Sequence, residues 1–242
     1  MSTVQLFVTC LVDTFYPQVG EALVKVLNRL GMAVEFPSQQ TCCGQPTFNA
    51  GLRDEARSLA MHTIRAFETA PGDIILPSGS CTHMIRHNYR ELFADDPAWL
   101  ARAEKLAART YEFSEYLVDV LGVTDVGAHW QGTLTYHPSC HLLRGLGVDR
   151  QPLLLLEHVR SATLRPLPHA EECCGFGGIF SVEHPEISRE MLLRKMDNIE
   201  ISQAETVVLA DTGCLMHIAG GLHRKGSPRN VYHLAEILAN TD

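Results

Sequence analysis

The chain has no aliphatic run longer than Leu153 to Leu156, far short of the roughly 20 apolar residues that cross a bilayer. No basic region precedes its first apolar stretch, Val4 to Val8, and that stretch soon meets the polar Asp13. The segment from Met1 to Val8 therefore reads as a first strand, not a signal peptide, and a cytoplasmic location is expected. Positive charge is also scarce. With 20 Lys and Arg against 28 Asp and Glu, the formal net charge is −8, and no basic stripe with interleaved aromatics is present. A nucleic-acid partner is therefore not expected. The Cys-x-x-Cys pairs of common structural zinc modules are missing too. What is present is a hydrophobic fraction of 45% and a charged fraction of 20% over 242 residues, the composition of a globular protein with a real core.

Against these absences stand eight cysteines in a repeated pattern. Cys42-Cys43-Gly44 returns as Cys173-Cys174-Gly175; a single cysteine lies upstream of each pair, Cys10 and Cys140, and another downstream, Cys81 and Cys214. The offsets between equivalents are 130, 131 and 133 residues. Offsets this close mean an internal duplication, and the sequence divides into a first cysteine-rich repeat, 1–126, and a second, 127–242.

Each repeat reads as alternating strands and helices. In the first, strand Val4–Val8 leads to Cys10, helix Val19–Leu30 follows, strand Met32–Phe36 leads to Cys42 and Cys43, a helix carries Leu52, Ala56, Leu59, Ala60, Ile64 and Phe67, and strand Asp73–Leu76 leads to Cys81. The second repeats this order: strands Thr133–Tyr136, Ala162–Leu167 and Thr206–Leu209 deliver Cys140, the Cys173–Cys174 pair and Cys214, with helices at Pro152–Val159 and Ile187–Ile199. Tyr111–Leu117 resembles Tyr232–Leu238, so each half is expected to finish in a helix. Cys81 to Tyr111 spans 30 residues and Cys214 to Tyr232 only 18, which assigns the first half an additional helix from Asp96 to Arg109. The predicted fold is α/β: two pseudo-symmetric repeats, each a small, mostly parallel sheet flanked by helices, with cysteines at the carboxyl ends of strands, where such sheets bind ligands.

In a reducing compartment clustered cysteines bind metal more often than they pair as disulfides. Four thiolates suit an iron–sulfur cluster or a zinc ion. Ligand positions more than thirty residues apart do not match common zinc modules. Adjacent cysteines followed by glycine suit a bent turn around a larger, multi-iron cluster. The candidate ligands are Cys10, Cys42, Cys43, Cys81, Cys140, Cys173, Cys174 and Cys214. His83, His137, His141 and His217 lie near them in sequence and are candidates to ligate or tune a centre. Gly175-Phe176-Gly177-Gly178 lacks the full spacing of a dinucleotide loop and is better suited to bringing backbone N–H groups to sulfur. Asp13, Glu171, Glu172 and Asp211 read as solvated or capping residues, and no flavin or nicotinamide site is legible.

These motifs, together with Phe7-Val8-Thr9-Cys10, Tyr136-His137-Pro138-Ser139-Cys140 and Gly175 to Val182, resemble the duplicated "CCG" domain found in the cysteine-rich subunit of heterodisulfide reductase and in the glycolate oxidase iron–sulfur subunit. The short two-repeat chain is most similar to the lactate-utilization protein A family. That resemblance implies a cytoplasmic iron–sulfur oxidoreductase component, without a membrane span, that works with two companion lactate-utilization proteins, at least one an iron–sulfur protein, in oxidising L-lactate to pyruvate. It implies [4Fe-4S] clusters, one or two per chain, on the eight cysteines. The reductase relatives carry a Cys-x-x-Cys at the end of each repeat; Met84 and His217 stand there instead, leaving four thiolates per half and His217 as a candidate fifth, unequal ligand. The alternatives are a glycolate oxidase or heterodisulfide reductase-like subunit, and a non-redox binding module with zinc in one or both halves.

Overall fold

The computed structural model describes residues 2–242; Met1, part of the expected first-strand segment, lies outside them. Two four-stranded sheets are present. The first contains β1 (Thr3–Leu6), β2 (Ala33–Glu35), β3 (Ile74–Leu76) and β4 (Thr110–Glu112) in the order β2-β1-β3-β4. The second contains β5 (His129–His137), β6 (Arg160–Arg165), β7 (Thr206–Leu209) and β8 (Asn230–His233) in the order β6-β5-β7-β8. Every pairing is parallel. Parallel neighbours need crossover connections, which is why helices separate the strands and cover the sheets. The inner strands β3 and β7 are buried along their whole length, matching sequences that are apolar except for Thr206.

Each repeat therefore has the α/β character expected from the strand-helix alternation. Helix Pro17–Arg29 buries Val19, Leu23, Val26 and Leu27. These join Leu134, Leu155, Leu234 and Leu238 of the second repeat in one apolar cluster. The Arg29 guanidinium reinforces that junction by donating to the carbonyls of Val126, Leu238 and Ala239. Helix Arg53–Phe67 packs behind β3 in the first repeat, and helix Pro185–Ser202 does the same beside β7 in the second. The additional helix of the first repeat is Pro97–Ala107, with the Asp96 carboxylate accepting from Trp99 N–H as its cap.

Each half finishes in a helix, as expected, but the stretches that begin at Tyr111 and Tyr232 open in fourth strands, β4 and β8. Both strands pass directly into a helix through a capping box, Glu112 with Glu115 and His233 with Glu236. Each short strand is pinned by ladder bonds to its neighbour, a long-range interaction that overrides the local helical pattern.

Candidate metal centres

The parallel strands deliver all eight cysteines to one end of the sheets. Cys10 begins helix Cys10–Phe15, capped by Thr9, and Cys81 lies in the first turns of helix Gly79–His83, capped by Ser78. Cys140 precedes a π-helical turn, His141–Leu146, and Cys214 lies in the first turn of helix Thr212–Lys225. The paired cysteines sit on loops before helices. Gly44 and Gly175 stand at φ +88° and +91°, a left-handed conformation that suits glycine. A Cβ at Gly175 would also lie 2.6 Å from the Ser188 carbonyl oxygen.

All eight cysteines line a single cavity of about 130 Å³ and all are free thiols. The sequence suggested two ligand sets but not that they face one space. Each set has two buried thiols, Cys43 and Cys81 or Cys174 and Cys214, and two half-buried ones, Cys10 and Cys42 or Cys140 and Cys173. Sulfur atoms are in contact within each set: Cys10 and Cys42 at 3.8 Å, Cys174 and Cys214 at 3.3 Å. The N–H groups of Gly44 and Gly175 donate to Cys42 Sγ and Cys173 Sγ, both at 3.4 Å.

The electrostatics repeat as well. Hydrogen bonds from Cys10 and then Cys43 hold Cys42 well below the usual thiol range, at about 3, helped by the Gly44 N–H. Cys173 is lowered in the same way by Cys140, Cys174 and the Gly175 N–H. Their partners move the other way: Cys10 and Cys140 are raised by these same thiol contacts and by burial, as are Cys43 and Cys174. Each set thus favours negative charge on one thiol, Cys42 or Cys173, and binding a metal would release protons from the raised thiols.

The two sets meet through their helix caps. Ser78 and Asp211 occupy equivalent positions and form an antiparallel bridge between the repeats. One oxygen of the buried Asp211 carboxylate accepts from Ser78 Oγ at 3.0 Å and Ser80 N–H at 2.9 Å, and the other accepts from Gly213 N–H at 3.0 Å. Asp211 therefore caps both helices that carry the last cysteine of each set. Capping was legible in the sequence; the link between the halves was not.

The histidines separate into different environments. The neutral-favouring burial of His83 lowers it to about 4, helped by His141 and His87, whose rings stand 5.3 and 4.8 Å away. His141 Nδ1 is 3.7 Å from Cys140 Sγ, and its Nε2 is 3.4 Å from Gln45 Nε2. His217, the candidate fifth ligand, has Nε2 3.3 Å from Ser188 Oγ. It is His137, fully buried at the end of β5, that groups with Cys174 and Cys214. Desolvation lowers His137 to about 3, with the Lys195 ammonium adding to the effect, so its imidazole is neutral and able to serve as a metal ligand.

The donor set fits a soft metal centre. Eight reduced thiols, backbone N–H groups directed at sulfur and a buried imidazole without partners among the described residues are found together. The cysteine-rich CCG domain model matches twice, over residues 4–86 and 134–219. Lactate utilization protein A of Exiguobacterium sp. is 50% identical over 239 residues, covering 98% of this chain and 97% of the relative. The chain belongs to the lactate utilization protein A family. Members from Geobacillus kaustophilus and Bacillus pumilus are 51% and 50% identical over 235 residues, each covering 97% of this chain and 98% of the relative. Among the described residues no helix of this family member is long and apolar enough to cross a membrane.

Proposed function

We propose that this chain is the iron–sulfur electron-transfer component of a multi-protein system that oxidises L-lactate to pyruvate. The observation that carries the reading is the pair of four-thiol sets around one cavity. Cys10, Cys42, Cys43 and Cys81 would hold one [4Fe-4S] cluster and Cys140, Cys173, Cys174 and Cys214 a second. Such clusters supply one-electron transfer when bound.

The remaining roles belong to the chain itself. The glycine N–H groups stabilise negative charge on Cys42 and Cys173. The buried thiols keep solvent from the inner side of each set, and Asp211 fixes the two sets against each other. The lactate substrate follows from the names of the relatives, and two companion lactate-utilization proteins in the cytoplasm, at least one carrying its own iron–sulfur centre, would complete the system.

The test is anaerobic reconstitution followed by addition of L-lactate with and without the companion chains. Lactate-dependent bleaching of the cluster absorbance is expected only when they are present. Oxidation of lactate by the single chain with an artificial acceptor would contradict an electron-transfer role dependent on partners. Stoichiometric zinc without iron or sulfide would replace the redox reading with a structural one.

A further inference from the structure

His137 ends β5 with none of its surface exposed, and neither ring nitrogen has a hydrogen-bond partner among the described residues. Leaving a buried polar group unpaired costs its full desolvation, and native structures rarely do so without a reason. A ligand atom of His137, Cys174 Sγ and Cys214 Sγ all lie within 4.8 Å of one another.

The fold itself does not demand a histidine at this place. Its equivalent in the first repeat, 130 residues earlier, is Phe7, also with none of its surface exposed. Phe7 fills the same slot by stacking on Phe67 with ring centroids 5.3 Å apart. An apolar side chain is thus compatible with the repeat, while the second repeat holds an imidazole whose polar atoms find no hydrogen-bond partner among the described residues. The thiols of Cys174 and Cys214 offer the imidazole chemistry that would use them.

Resting on the two-centre reading above, we infer that His137 is a direct ligand of the second metal centre, beside Cys174 and Cys214, and that the first centre is held by thiolates alone. The two centres are therefore chemically unlike. A neutral imidazole that takes the place of one of the four thiolates leaves the centre less negative, and such imidazole ligation of iron–sulfur centres accompanies higher reduction potential. The second centre is consequently the better electron acceptor of the two.

The test uses the full chain, purified and reconstituted anaerobically with iron and sulfide, then reduced and examined by pulsed electron paramagnetic resonance. One sample carries natural-abundance histidine and another 15N-histidine. A strong histidine-nitrogen coupling that changes with the isotope is expected in the wild type and should be lost in His137→Phe, which installs the first repeat's residue. His141→Ala and His217→Ala should retain it. His137→Gln provides a second variant, also expected to lose the coupling, should the phenylalanine form fail to fold.

A wild-type chain that loads iron and sulfide but shows no strong histidine coupling overturns this inference and leaves the two-centre reading intact. Persistence of the coupling in either His137 variant overturns it equally. A wild-type chain that binds no metal overturns both.

Discussion

The first repeat secures its paired-cysteine turn with a phenol and the second with an ammonium. In the first, the buried Tyr89 hydroxyl donates to the Cys43 carbonyl at 2.9 Å. In the second, the buried Lys195 Nζ donates to the carbonyls of His169 and Ala170, at 2.9 and 3.1 Å, just ahead of Cys173. Gly44 faces Ala56 and Gly175 faces Ser188 in the same manner, and in this register Thr63 corresponds to Lys195. Together with Phe7 opposite His137, these exchanges place neutral or apolar groups behind the first centre and an imidazole and a cation behind the second. Duplication kept the thiols and the backbone that presents them, while the wall behind the thiols diverged. Two equal cradles in the sequence are therefore two unequal environments.

The largest expected effect separates the cradles outright. Cys43→Ser and Cys174→Ser should each lose about half of the bound iron, since each removes one of four thiolates from one centre. Iron and sulfide analysis of the two purified variants checks this. Loss of all iron from both would mean one joint centre.

Asp211 tests the junction. Asp211→Ala removes caps from two helices and leaves Ser78 Oγ without its carboxylate, so a loss of about 2–4 kcal/mol in denaturant unfolding is expected. Asp211→Ser, which copies the first repeat's cap, should recover part of it. Full stability in the alanine variant would show that the bridge does not hold the halves together.

Lys195→Met should lower the potential of the second centre alone, by about 60 mV, the shift that accompanies a tenfold change in the relative affinity of the two oxidation states for one electron. A redox titration followed by electron paramagnetic resonance resolves it. Equal shifts at both centres would place the cation's influence on the shared cavity instead.

The smallest effect concerns the caps at the far ends of the repeats, an acid in the first and an imidazole in the second. Burial raises Glu112 to about 8, against the lowering influence of its hydrogen bonds with Ser114 and Glu115. The folded state then binds this proton more tightly than the unfolded state. Its stabilising contribution is full below the ordinary carboxyl range and is lost as pH rises from about 5 through about 8. Glu112→Gln should flatten that fall in unfolding experiments and change stability below pH 5 by no more than about 1 kcal/mol. An unchanged pH profile would remove Glu112 as its source.

The duplicated thiols and the strand-helix order were legible because covalent spacing and apolar periodicity are properties of the chain itself. The strands at Thr110–Glu112 and Asn230–His233 were not, because they are short and run straight into helices, and only pairing with β3 and β7 defines them. The facing of both thiol sets onto one cavity depends on how the repeats pack, for which Ser78 and Asp211 carry no signal beyond their capping chemistry. His137 could not be told from His83, His141 or His217 by distance along the chain. Its complete burial and two nitrogens unpaired among the described residues distinguish it, and both are properties of packing.

The central claim is that each repeat builds its own iron–sulfur centre. Metal and acid-labile sulfide analysis of the anaerobically purified wild-type chain, with spectra before and after reduction, tests it most directly. About eight irons with matching sulfide per chain are predicted, as two four-iron clusters require. Zinc without iron or sulfide would contradict it and make the eight thiols a structural device.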